Sequence, residues 1–303
     1  MKVAVIGLGS IGMGMAASLF REGHEVVGVD VREARLRKFS ETGGQVASTV
    51  ADACLDTEAL VSVVVDARQT ETVLFGDQGA AANLPSDAVC ISCATLPPEN
   101  ARDFAQRMED TGRHYLDAPT SGGPAKAQTG EITIMGSGSS AAFEKAGPVL
   151  NAVAAKVYNL GAKAGVGSSM KLVNQHLAGV HIAVACEAMA MAIRLGLEPR
   201  QVYDVITHAA GSSWMFENRV PHILEGDYSP QSATSIFTKD LGIVLDTARS
   251  NQFPVPMAST GLQLFEMAAA AGMGDDDDTS IIRVFAQLAG LQLPERETGN
   301  EQD

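Results

Sequence analysis

The sequence predicts an α/β domain with a doubly wound, mostly parallel sheet, followed by an all-α domain. In the first half, short β-branched runs alternate with helix-length segments, which is typical of parallel strands joined by crossover helices. After about Gly165, apolar residues recur at helical spacing instead. The 303 residues exceed the size of one domain, about 100 to 200 residues. We expect a sheet domain over residues 1–163, a helical domain over 164–293 and a disordered tail over 294–303.

The predicted strands of the first half are apolar along their whole length. Strands without polar alternation are covered on both faces, as in a parallel sheet between two layers of helices. Five strands, and a later pair around a helix that starts near Ala141, are predicted at residues 3–6, 26–30, 60–65, 88–92, 114–118, 132–135 and 156–159.

Long helices are predicted for the second half. Residues 168–195 would form a linking helix of roughly 40 Å at about 1.5 Å per residue. Further helices, each bounded by Pro, Gly or Asp, are predicted at residues 199–210, 236–250, 256–272 and 279–290. The four acids of residues 275–278 are interpreted as a solvated loop that caps the last of these helices.

The charge distribution disfavours nucleic acid and anionic membranes as partners, because the formal net charge is -14 and the chain has no basic patch. Residues 3–20 are uncharged and could pass for a signal peptide or a membrane span, but four glycines interrupt them. The second apolar run, residues 177–196, contains His181, Glu187 and Arg194. We expect neither run to cross a membrane.

The cysteines and histidines do not predict a metal site. Cys90 and Cys93 form a single CxxC pair, with no second pair to complete a zinc ribbon. They could be a redox pair, but they end an apolar run instead of opening a helix, where a thiolate would be stabilised. His176 and His181 are five residues apart and do not share a helix face. We expect reduced thiols in the cytoplasm and no bound metal.

A glycine-rich turn directly follows the first predicted strand. It has the form Gly7-Leu8-Gly9-Ser10-Ile11-Gly12 and leads into a helix through about Arg21. In a dinucleotide-binding turn the first glycine turns tightly, the second lets the backbone approach a pyrophosphate, and the third lets helix and strand pack closely. The helix N-terminus then faces the phosphates. All six residues, including Leu8, Ser10 and Ile11, are predicted to bind a dinucleotide, which makes residues 1–163 a Rossmann domain.

The second predicted strand ends in Asp30, eighteen residues after Gly12. An acid there accepts hydrogen bonds from the adenosine ribose and repels a 2′-phosphate. The predicted cofactor is therefore NAD, with Asp30 and the adjacent Val31 at its ribose. Arg32 could in principle meet a phosphate, but the preferred interpretation is an exposed residue in the first turn of a helix.

Three further turns follow predicted strands at the carboxyl edge of the sheet, where doubly wound folds bind their ligands. They contain Val65 with Asp66, then Thr95, then the run Ser121-Gly122-Gly123. Successive N–H groups in that run would suit a carboxylate. Each segment could also be a simple turn.

Lys171 is the candidate acid/base, at the start of the long predicted helix. Hydride transfer from an alcohol needs a base for the hydroxyl proton, and a lysine serves when burial or its neighbours lower its pKa. Asn174 shares its helix face. The alternative is an exposed lysine, although a cation near a helix N-terminus opposes the helix dipole.

A second cation, Lys239, stands at another predicted helix start. It could neutralise a substrate carboxylate or contact the cofactor. The alternative is an ion pair with a local acid such as Asp240.

Together these elements resemble the β-hydroxyacid dehydrogenase family, which includes 3-hydroxyisobutyrate dehydrogenases and tartronate semialdehyde reductases. The resemblance covers residues 1 to about 290 and depends on the glycine turn, Asp117-Ala118-Pro119-Thr120-Ser121-Gly122-Gly123, Gly167-x-x-x-Lys171-x-x-Asn174 and Lys239-Asp240. It implies a small anionic hydroxy-acid substrate, hydride transfer to NAD, and a homodimer or homotetramer formed through the helical domain.

The resemblance also implies roles for individual residues. Lys171 would be the catalytic acid/base, and Ser121 to Gly123 with Asn174 would bind the substrate. The implied cofactor contacts near the substrate are Val65, Asp66, Thr95 and Lys239. Cys93 and Asp66 depart from the family pattern, and both would lie near the nicotinamide end, so they leave the identity of the substrate open.

The stretch from Thr207 to Arg219 resembles the L-threonate dehydrogenase branch of the family. That branch oxidises a four-carbon sugar acid to its 2-oxo acid with NAD. Trp214, the only tryptophan, is predicted to bind the substrate, with a core anchor as the alternative. The alternative substrates are 3-hydroxyisobutyrate and tartronate semialdehyde, and the alternative of a different class is a non-catalytic NAD-binding module.

Overall fold

The computed structural model describes residues 1–296. Of the predicted disordered tail at 294–303, residues 297–303 lie outside the described part. The chain divides into two compact units, Met1–Lys171 and a second that begins at Leu172. This division falls after the predicted boundary at 163/164, because the first turn of the linking helix is hydrogen-bonded to the sheet unit through Asp117.

The first unit contains a nine-stranded sheet. The strands are β1 (Lys2–Ile6), β2 (Glu25–Val29), β3 (Gln45–Val46), β4 (Ala59–Ser62), β5 (Val89–Ser92), β6 (His114–Asp117), β7 (Thr120–Ser121), β8 (Ile132–Gly138) and β9 (Ala154–Asn159). Six of them pair in parallel in the order β3-β2-β1-β4-β5-β6, which is the doubly wound order of a Rossmann domain. β8 runs antiparallel to β6 and β7, and β9 runs parallel to β8. The predicted fold class is confirmed.

Helices cover both faces of this sheet. They are α1 (Ser10–Arg21), α2 (Glu33–Glu41), α3 (Val50–Ala53), α4 (Ala67–Phe75), α5 (Ala80–Asn83), α6 (Pro98–Glu109), α7 (Gly123–Thr129) and α8 (Ser140–Val153). Alternate residues of β1 enter different cores: Val5 packs in the cluster that contains Leu19 of α1, and Ala4 in the cluster that contains Phe104 of α6. Burial on both faces is why the predicted strands lack polar alternation.

Several strands differ from the prediction. β4 ends at Ser62, whereas 60–65 was predicted, so residues 63–65 belong to the turn at the carboxyl edge. β3 and β7 have two residues each and were not predicted, because a period of two cannot be detected over so short a run.

A continuous helix, α9 (Val166–Arg194), joins the two units and matches the predicted linking helix at 168–195 closely. By length and composition it could span a bilayer, although 44% of its most apolar window is buried inside the protein. Within the second unit, Ile182 and Met189 of this helix are fully buried in the helical core. Core helices of soluble proteins pass the same composition test.

The described residues of the second unit form no β-strand, as predicted. Beyond α9 its helices are α10 (Pro199–Ile206), α11 (Trp214–Glu225), α12 (Thr234–Ser250), α13 (Pro256–Ala268) and α14 (Ile281–Ala289), with a π-helical turn over Ala269–Met273 and a 3-10 turn over Asp278–Ser280. Phe237 of α12 stacks on Phe265 of α13 with ring centroids 5.2 Å apart. Gly179 admits this packing, since a Cβ there would lie 3.0 Å from Phe237.

Helix α11 was not predicted. Its N-cap is Ser213, whose Oγ accepts a hydrogen bond from the N–H of Phe216 at 3.1 Å. Pro221 lies inside the helix and interrupted the pattern that would have indicated it. Helix α10 ends at Ile206 instead of residue 210, and α13 ends at Ala268 instead of residue 272, where Gly272 has a φ of +86°.

The prediction of a solvated loop at residues 275–278 is wrong for its second half. Asp277 and Asp278 are fully buried. Arg219 of α11 donates from Nε to Asp278 Oδ1 at 2.8 Å, and His222 Nδ1 lies 3.1 Å from Asp277 Oδ1. Burial raises the pKa of Asp278 to about 6. The hydrogen bond with Asp277 raises the pKa of His222 against the opposing effect of burial.

Candidate active site

The glycine turn between β1 and α1 has no room for side chains at two of its glycines. Gly7 has a φ of +97°, and a Cβ there would lie 2.5 Å from the carbonyl oxygen of Val63. A Cβ at Gly12 would lie 1.8 Å from the carbonyl oxygen of Gly7. The turn is therefore held between β1, the segment after β4 and the first turn of α1, as a dinucleotide-binding turn requires.

Gly9 is different, because the space beside it is open. A Cβ there would have Arg35 Nη1, 3.9 Å away, as its nearest neighbour. Gly9 is also the N-cap of α1, and no side chain caps the first-turn N–H groups, which begin at Ser10. Such a helix N-terminus binds a pyrophosphate. Leu8 is buried beneath the turn and Ile11 is half-buried.

Asp30 is held beside the turn by three donors. Its Oδ2 accepts from the N–H of Leu8 at 2.7 Å and from Arg35 Nη1 at 3.2 Å, and its Oδ1 accepts from the N–H of Arg32 at 2.8 Å. The carboxylate is thus oriented before a ribose arrives. Arg32 itself is exposed, as preferred above, and Val31 is almost fully exposed. The turn and Asp30 fit the adenosine and pyrophosphate of NAD.

Arg35 was not predicted as a site residue. It lies in the first turn of α2, where an arginine is ordinarily exposed. Only the tertiary fold shows that its guanidinium lies between Asp30 and the open side of Gly9.

The turns after β4 and β5 carry the other predicted cofactor residues. Asp66 is the N-cap of α4, and its Oδ1 accepts from the N–H of Gln69 at 2.7 Å. Val65 is half-exposed, and its N–H donates to Gln69 Oε1 at 3.1 Å. Thr95 is half-buried after β5. The structure explains Asp66 by local capping, and no contact distinguishes these three residues as cofactor ligands.

The run Ser121-Gly122-Gly123 forms the junction between β7 and α7. Gly122 and Gly123 have φ values of +133° and +77°, which side chains would strain. A Cβ at Gly123 would meet nothing within 4 Å. The run therefore presents backbone, with one open side, at a helix start, and this arrangement suits a carboxylate.

Hydrogen bonds connect the start of α9 to Asp117 at the carboxyl end of β6. Asp117, fully buried, accepts at Oδ2 from the N–H groups of Gly165 and Ser168, at 2.8 and 2.9 Å. The Oγ of Ser168 donates to Oδ1 at 2.8 Å, and the Oγ of Ser137 in β8 donates to Oδ2 at 3.1 Å. A Cβ at Gly167 would lie 2.3 Å from the carbonyl oxygen of Met135, so helix and strand pack backbone to backbone. This role of Asp117 was not predicted.

Lys171 lies one turn after Ser168 in α9 and is only 8% exposed. The alternative of an exposed lysine is wrong. A buried amine beside small residues, in the same unit as the glycine turn, has the surroundings that an acid/base lysine requires.

In the second unit, two predicted site residues, Asn174 and Lys239, are joined through Gln175 and Asp240. Asn174 Nδ2 donates to Gln175 Oε1 at 2.8 Å. Gln175 Nε2 donates to Asp240 Oδ2, and Lys239 Nζ forms an ion pair with Asp240 Oδ1. The ion-pair alternative for Lys239 is therefore present in the structure.

Trp214 begins α11 and is 53% exposed. The alternative of a core anchor is wrong. Its exposed ring leaves the predicted contact with substrate as a hypothesis.

Metal and thiol chemistry find no support in the described part of the chain. No group of three His, Cys, Asp or Glu side chains could hold a metal ion there. Cys54, Cys90, Cys93 and Cys186 are free and buried. Burial raises the pKa of Cys93 to about 12, so the CxxC pair is not a reactive thiolate.

A dinucleotide turn, a ribose-facing acid and a buried lysine near the same sheet edge define the class of nicotinamide-dependent dehydrogenases. Comparison with known proteins agrees over nearly the whole chain. Residues 2–161 match the family model described as the NAD binding domain of 6-phosphogluconate dehydrogenase. Residues 165–285 match the one described as NAD-binding of NADP-dependent 3-hydroxyisobutyrate dehydrogenase.

Individual relatives are similar along their full length. L-threonate dehydrogenase of Cupriavidus necator is 50% identical over 97% of this chain and 98% of its own. L-threonate dehydrogenase of Escherichia coli is 47% identical over 96% of both chains. A crystal structure described as 3-hydroxyisobutyrate dehydrogenase from Salmonella typhimurium matches with a TM-score of 0.89 and 44% identity, covering 94% of this chain and 99% of its own.

The chain belongs to the β-hydroxyacid dehydrogenase family, so the resemblance drawn from its motifs is confirmed. The predictions of an NAD-dependent dehydrogenase that acts on a CH–OH group, and of NAD as its cofactor, are confirmed as well.

Proposed function

We propose that this protein oxidises L-threonate to its 2-oxo acid with NAD, and that Lys171 is the acid/base. The observation that carries the proposal is the burial of Lys171 on a helix start that is fastened to the sheet edge. The substrate assignment is supported by the relatives of 46 to 50% identity named L-threonate dehydrogenase. It also agrees with the branch-like stretch from Thr207 to Arg219.

The reaction requires a proton acceptor, a hydride acceptor and a fixed carboxylate. NAD supplies the hydride acceptor when bound. Lys171, in its neutral amine form, takes the proton of the substrate hydroxyl while the carbon loses its hydride, and returns that proton in the reverse direction. The N–H groups of the Ser121-Gly122-Gly123 run bind the substrate carboxylate. Asn174, on the same face of α9 as Lys171, hydrogen-bonds a substrate hydroxyl.

The remaining assignments stay as proposed from the resemblance. Val65, Asp66, Thr95 and Lys239 contact the cofactor near the substrate, and Trp214 contacts the substrate. The exposed ring of Trp214 suits a sugar-acid substrate, because an aromatic face can pack against the carbon-bound hydrogens of such a molecule.

The test is formation of NADH from NAD with purified protein and a panel of hydroxy acids. We expect L-threonate to have the highest kcat/KM. A second candidate, 3-hydroxyisobutyrate, is favoured by the solved structure of that description at 44% identity. If 3-hydroxyisobutyrate alone reacts, the L-threonate assignment is wrong. Reduction of tartronate semialdehyde with NADH tests the other alternative.

We further propose that the protein is a homodimer or homotetramer formed through its helical unit. Val173, Leu177, Val184 and Met191 of α9, and Leu195 directly after it, are each more than half exposed. Their spacings of four and seven residues place them in one stripe, which supports a second copy of the chain as its cover. Light scattering of Leu177→Glu/Met191→Glu should show a smaller species. Leu288→Glu, at another exposed leucine, is the control.

We propose a cytoplasmic location, with neither nucleic acid nor membrane as a partner. The net charge of -14 and the four free thiols support it. Cell fractionation tests it, and recovery in the membrane fraction after a high-salt wash would contradict it.

A further inference from the structure

The carboxylate of Asp117 is a junction of three chain segments. Asp117 is the last residue of β6 and accepts hydrogen bonds from Ser137 of β8, from Gly165 directly before α9, and from Ser168 in the first turn of α9. Ser137 adds a second link to the same helix, since its Oγ accepts from the N–H of Gly167 at 2.9 Å. A buried carboxylate that accepts four hydrogen bonds restrains the segments that donate them, here β8 and the start of α9.

The two segments that leave this junction carry the substrate chemistry proposed above. The Ser121-Gly122-Gly123 run begins four residues after Asp117, through the β7 strand that pairs with β8. Lys171 is three residues after Ser168 and so lies on the same helix face, one turn on. The position of Asp117 therefore affects both groups: the backbone N–H donors proposed to bind the substrate carboxylate, and the Lys171 amine proposed to take the hydroxyl proton.

We propose that Asp117 is the positioning residue of the active site, which sets the distance between the Ser121-Gly122-Gly123 run and the Lys171 amine. The inference rests on the proposed function of Lys171 as acid/base. Asp117 acts through the hydrogen bonds that it accepts, and takes no part in proton or hydride transfer.

Two substitutions can distinguish the effect of the hydrogen bonds to Asp117 from the effect of its charge. Burial raises the pKa of Asp117, and hydrogen bonds from Ser168, Gly165 and Ser137 oppose the rise. In Asp117→Asn, the amide oxygen can replace Oδ2 and accept from both backbone N–H groups and from Ser137. The amide nitrogen can replace Oδ1 and donate to Ser168 Oγ, whose hydroxyl then accepts. Asparagine thus keeps all four contacts without the charge, whereas Asp117→Ala loses all four.

The experiment compares the wild type with Asp117→Asn, Asp117→Ala and Ser137→Ala in the full-length protein. For each we would measure kcat and KM for the most active acid of the panel, the deuterium isotope effect on kcat with substrate deuterated at the oxidised carbon, and the Kd for NADH by fluorescence. We expect Asp117→Ala to lower kcat about 100-fold, the usual cost of a displacement near 1 Å, with a larger isotope effect and unchanged NADH affinity. Asp117→Asn should stay within about tenfold of the wild type, because it keeps the contacts.

Ser137→Ala keeps the test decisive if Asp117→Ala does not fold, because it removes one contact to Asp117 and one to Gly167. It should lower kcat and raise the isotope effect in the same direction, by less. Ser18→Ala is the matched control: Ser18 is also buried, and its Oγ donates to Ala152 at 2.7 Å, far along the chain from α9. It should reduce stability and leave kcat and the isotope effect unchanged.

Amide hydrogen exchange distinguishes failure of this inference from failure of the proposed function. Protection of the peptide that spans Gly165 to Leu172 should be lost in Asp117→Ala and kept in Asp117→Asn, whichever substrate is used. Equal protection in both variants, or equal loss of kcat in both, would overturn the inference. If the wild type oxidises no acid of the panel, the proposed function fails and exchange still decides whether Asp117 holds the helix.

Discussion

The side-chain amide of Gln175 donates a hydrogen bond to the carboxylate of Asp240, and both side chains are buried. The same carboxylate pairs with Lys239, and Gln175 in turn accepts from Asn174. A proposed substrate residue and a proposed cofactor residue are thus held by one buried acid in the helical unit.

Removing that acid should destabilise the helical unit. Asp240→Ala leaves the mostly buried Lys239 ammonium without its counter-ion and the Gln175 amide without its acceptor. We expect the free energy of unfolding in urea to fall by roughly 3 kcal/mol, as for other broken buried pairs. The control is Asp246→Ala on the same helix, where the pair with Arg249 is highly exposed and the change should stay below about 1 kcal/mol. Equal losses of unfolding free energy in the two variants would mean that the buried network stabilises the unit no more than the exposed pair does.

Replacement of Lys171 should stop the chemistry and spare the cofactor site. We expect Lys171→Ala to lower kcat by about 100-fold to 10,000-fold, the range for loss of a general acid/base, with NADH affinity kept. Lys163→Ala is the matched control, because Lys163 is exposed shortly before α9. Turnover retained by Lys171→Ala would remove the lysine from the mechanism.

Alanine at two positions of the glycine turn should have different effects, one on NADH affinity and the other on stability. The open space beside Gly9 accepts a methyl group, so Gly9→Ala should fold normally and lose NADH affinity by at least about tenfold, because the methyl occupies the approach of the pyrophosphate. Gly12→Ala places a Cβ at 1.8 Å from a backbone oxygen and should lower the melting temperature. Thermal melts and NADH titrations of both variants check this. Normal NADH binding by Gly9→Ala would contradict the assignment of that space.

The acid at position 30 should set the preference for NAD over NADP. We expect NADP to react far more slowly than NAD in the wild type, because the Asp30 carboxylate repels a 2′-phosphate. Asp30→Ser should narrow the difference, since it also frees Arg35 from its ion pair at 3.2 Å. The double variant Asp30→Ser/Arg35→Ala is the control and should lose part of the gain. Equal rates with both cofactors in the wild type would refute the role of Asp30.

Asp278 and His222, near α14, should make stability fall as pH rises. The pKa of Asp278 is raised from 3.8 to about 6 by burial, so the folded state binds that proton more tightly and stability is lost between those values. The pKa of His222 is raised from 6.5 by its hydrogen bond with Asp277, so its contribution is full below 6.5 and is lost as pH rises through the higher folded value. Urea unfolding at several pH values should show both slopes.

Asp278→Asn should remove the loss of stability that occurs at the lower pH values, and it should keep the contact to Arg219. The exposed Asp275→Asn in the same acidic run is the control and should keep the wild-type profile. An unchanged lower slope in Asp278→Asn would assign it to another group.

Local motifs were predictable from sequence because their physical demands are local. The spacing of Gly7, Gly9 and Gly12 describes one turn, and Asp30 follows at the end of the next strand. The parallel strands could be located because burial on both faces leaves them apolar. Lys171 could be proposed because small residues and a helix start surround it along the chain.

Roles that depend on distant partners were not predictable. Asp278 lies in an acidic run that is normally solvated, and its burial depends on Arg219, which is 59 residues away. Asp117 could be noticed only as part of a motif, since its donors come from β8 and from the start of α9. Arg35 gains its place beside Gly9 through the fold, and Asp240 gains the hydrogen bond from Gln175, 65 residues away, in the same way. Its ion pair with the neighbouring Lys239 was an alternative that the sequence offered.

The four buried thiols have a practical consequence. Because none of Cys54, Cys90, Cys93 and Cys186 is accessible, a single cysteine introduced on the surface would be the only site open to a maleimide dye in the folded protein. Probes could then be placed on either unit of the native sequence without first removing cysteines. With one such cysteine in each unit, the distance between a donor and an acceptor dye could be followed by energy transfer as NAD and substrate are added.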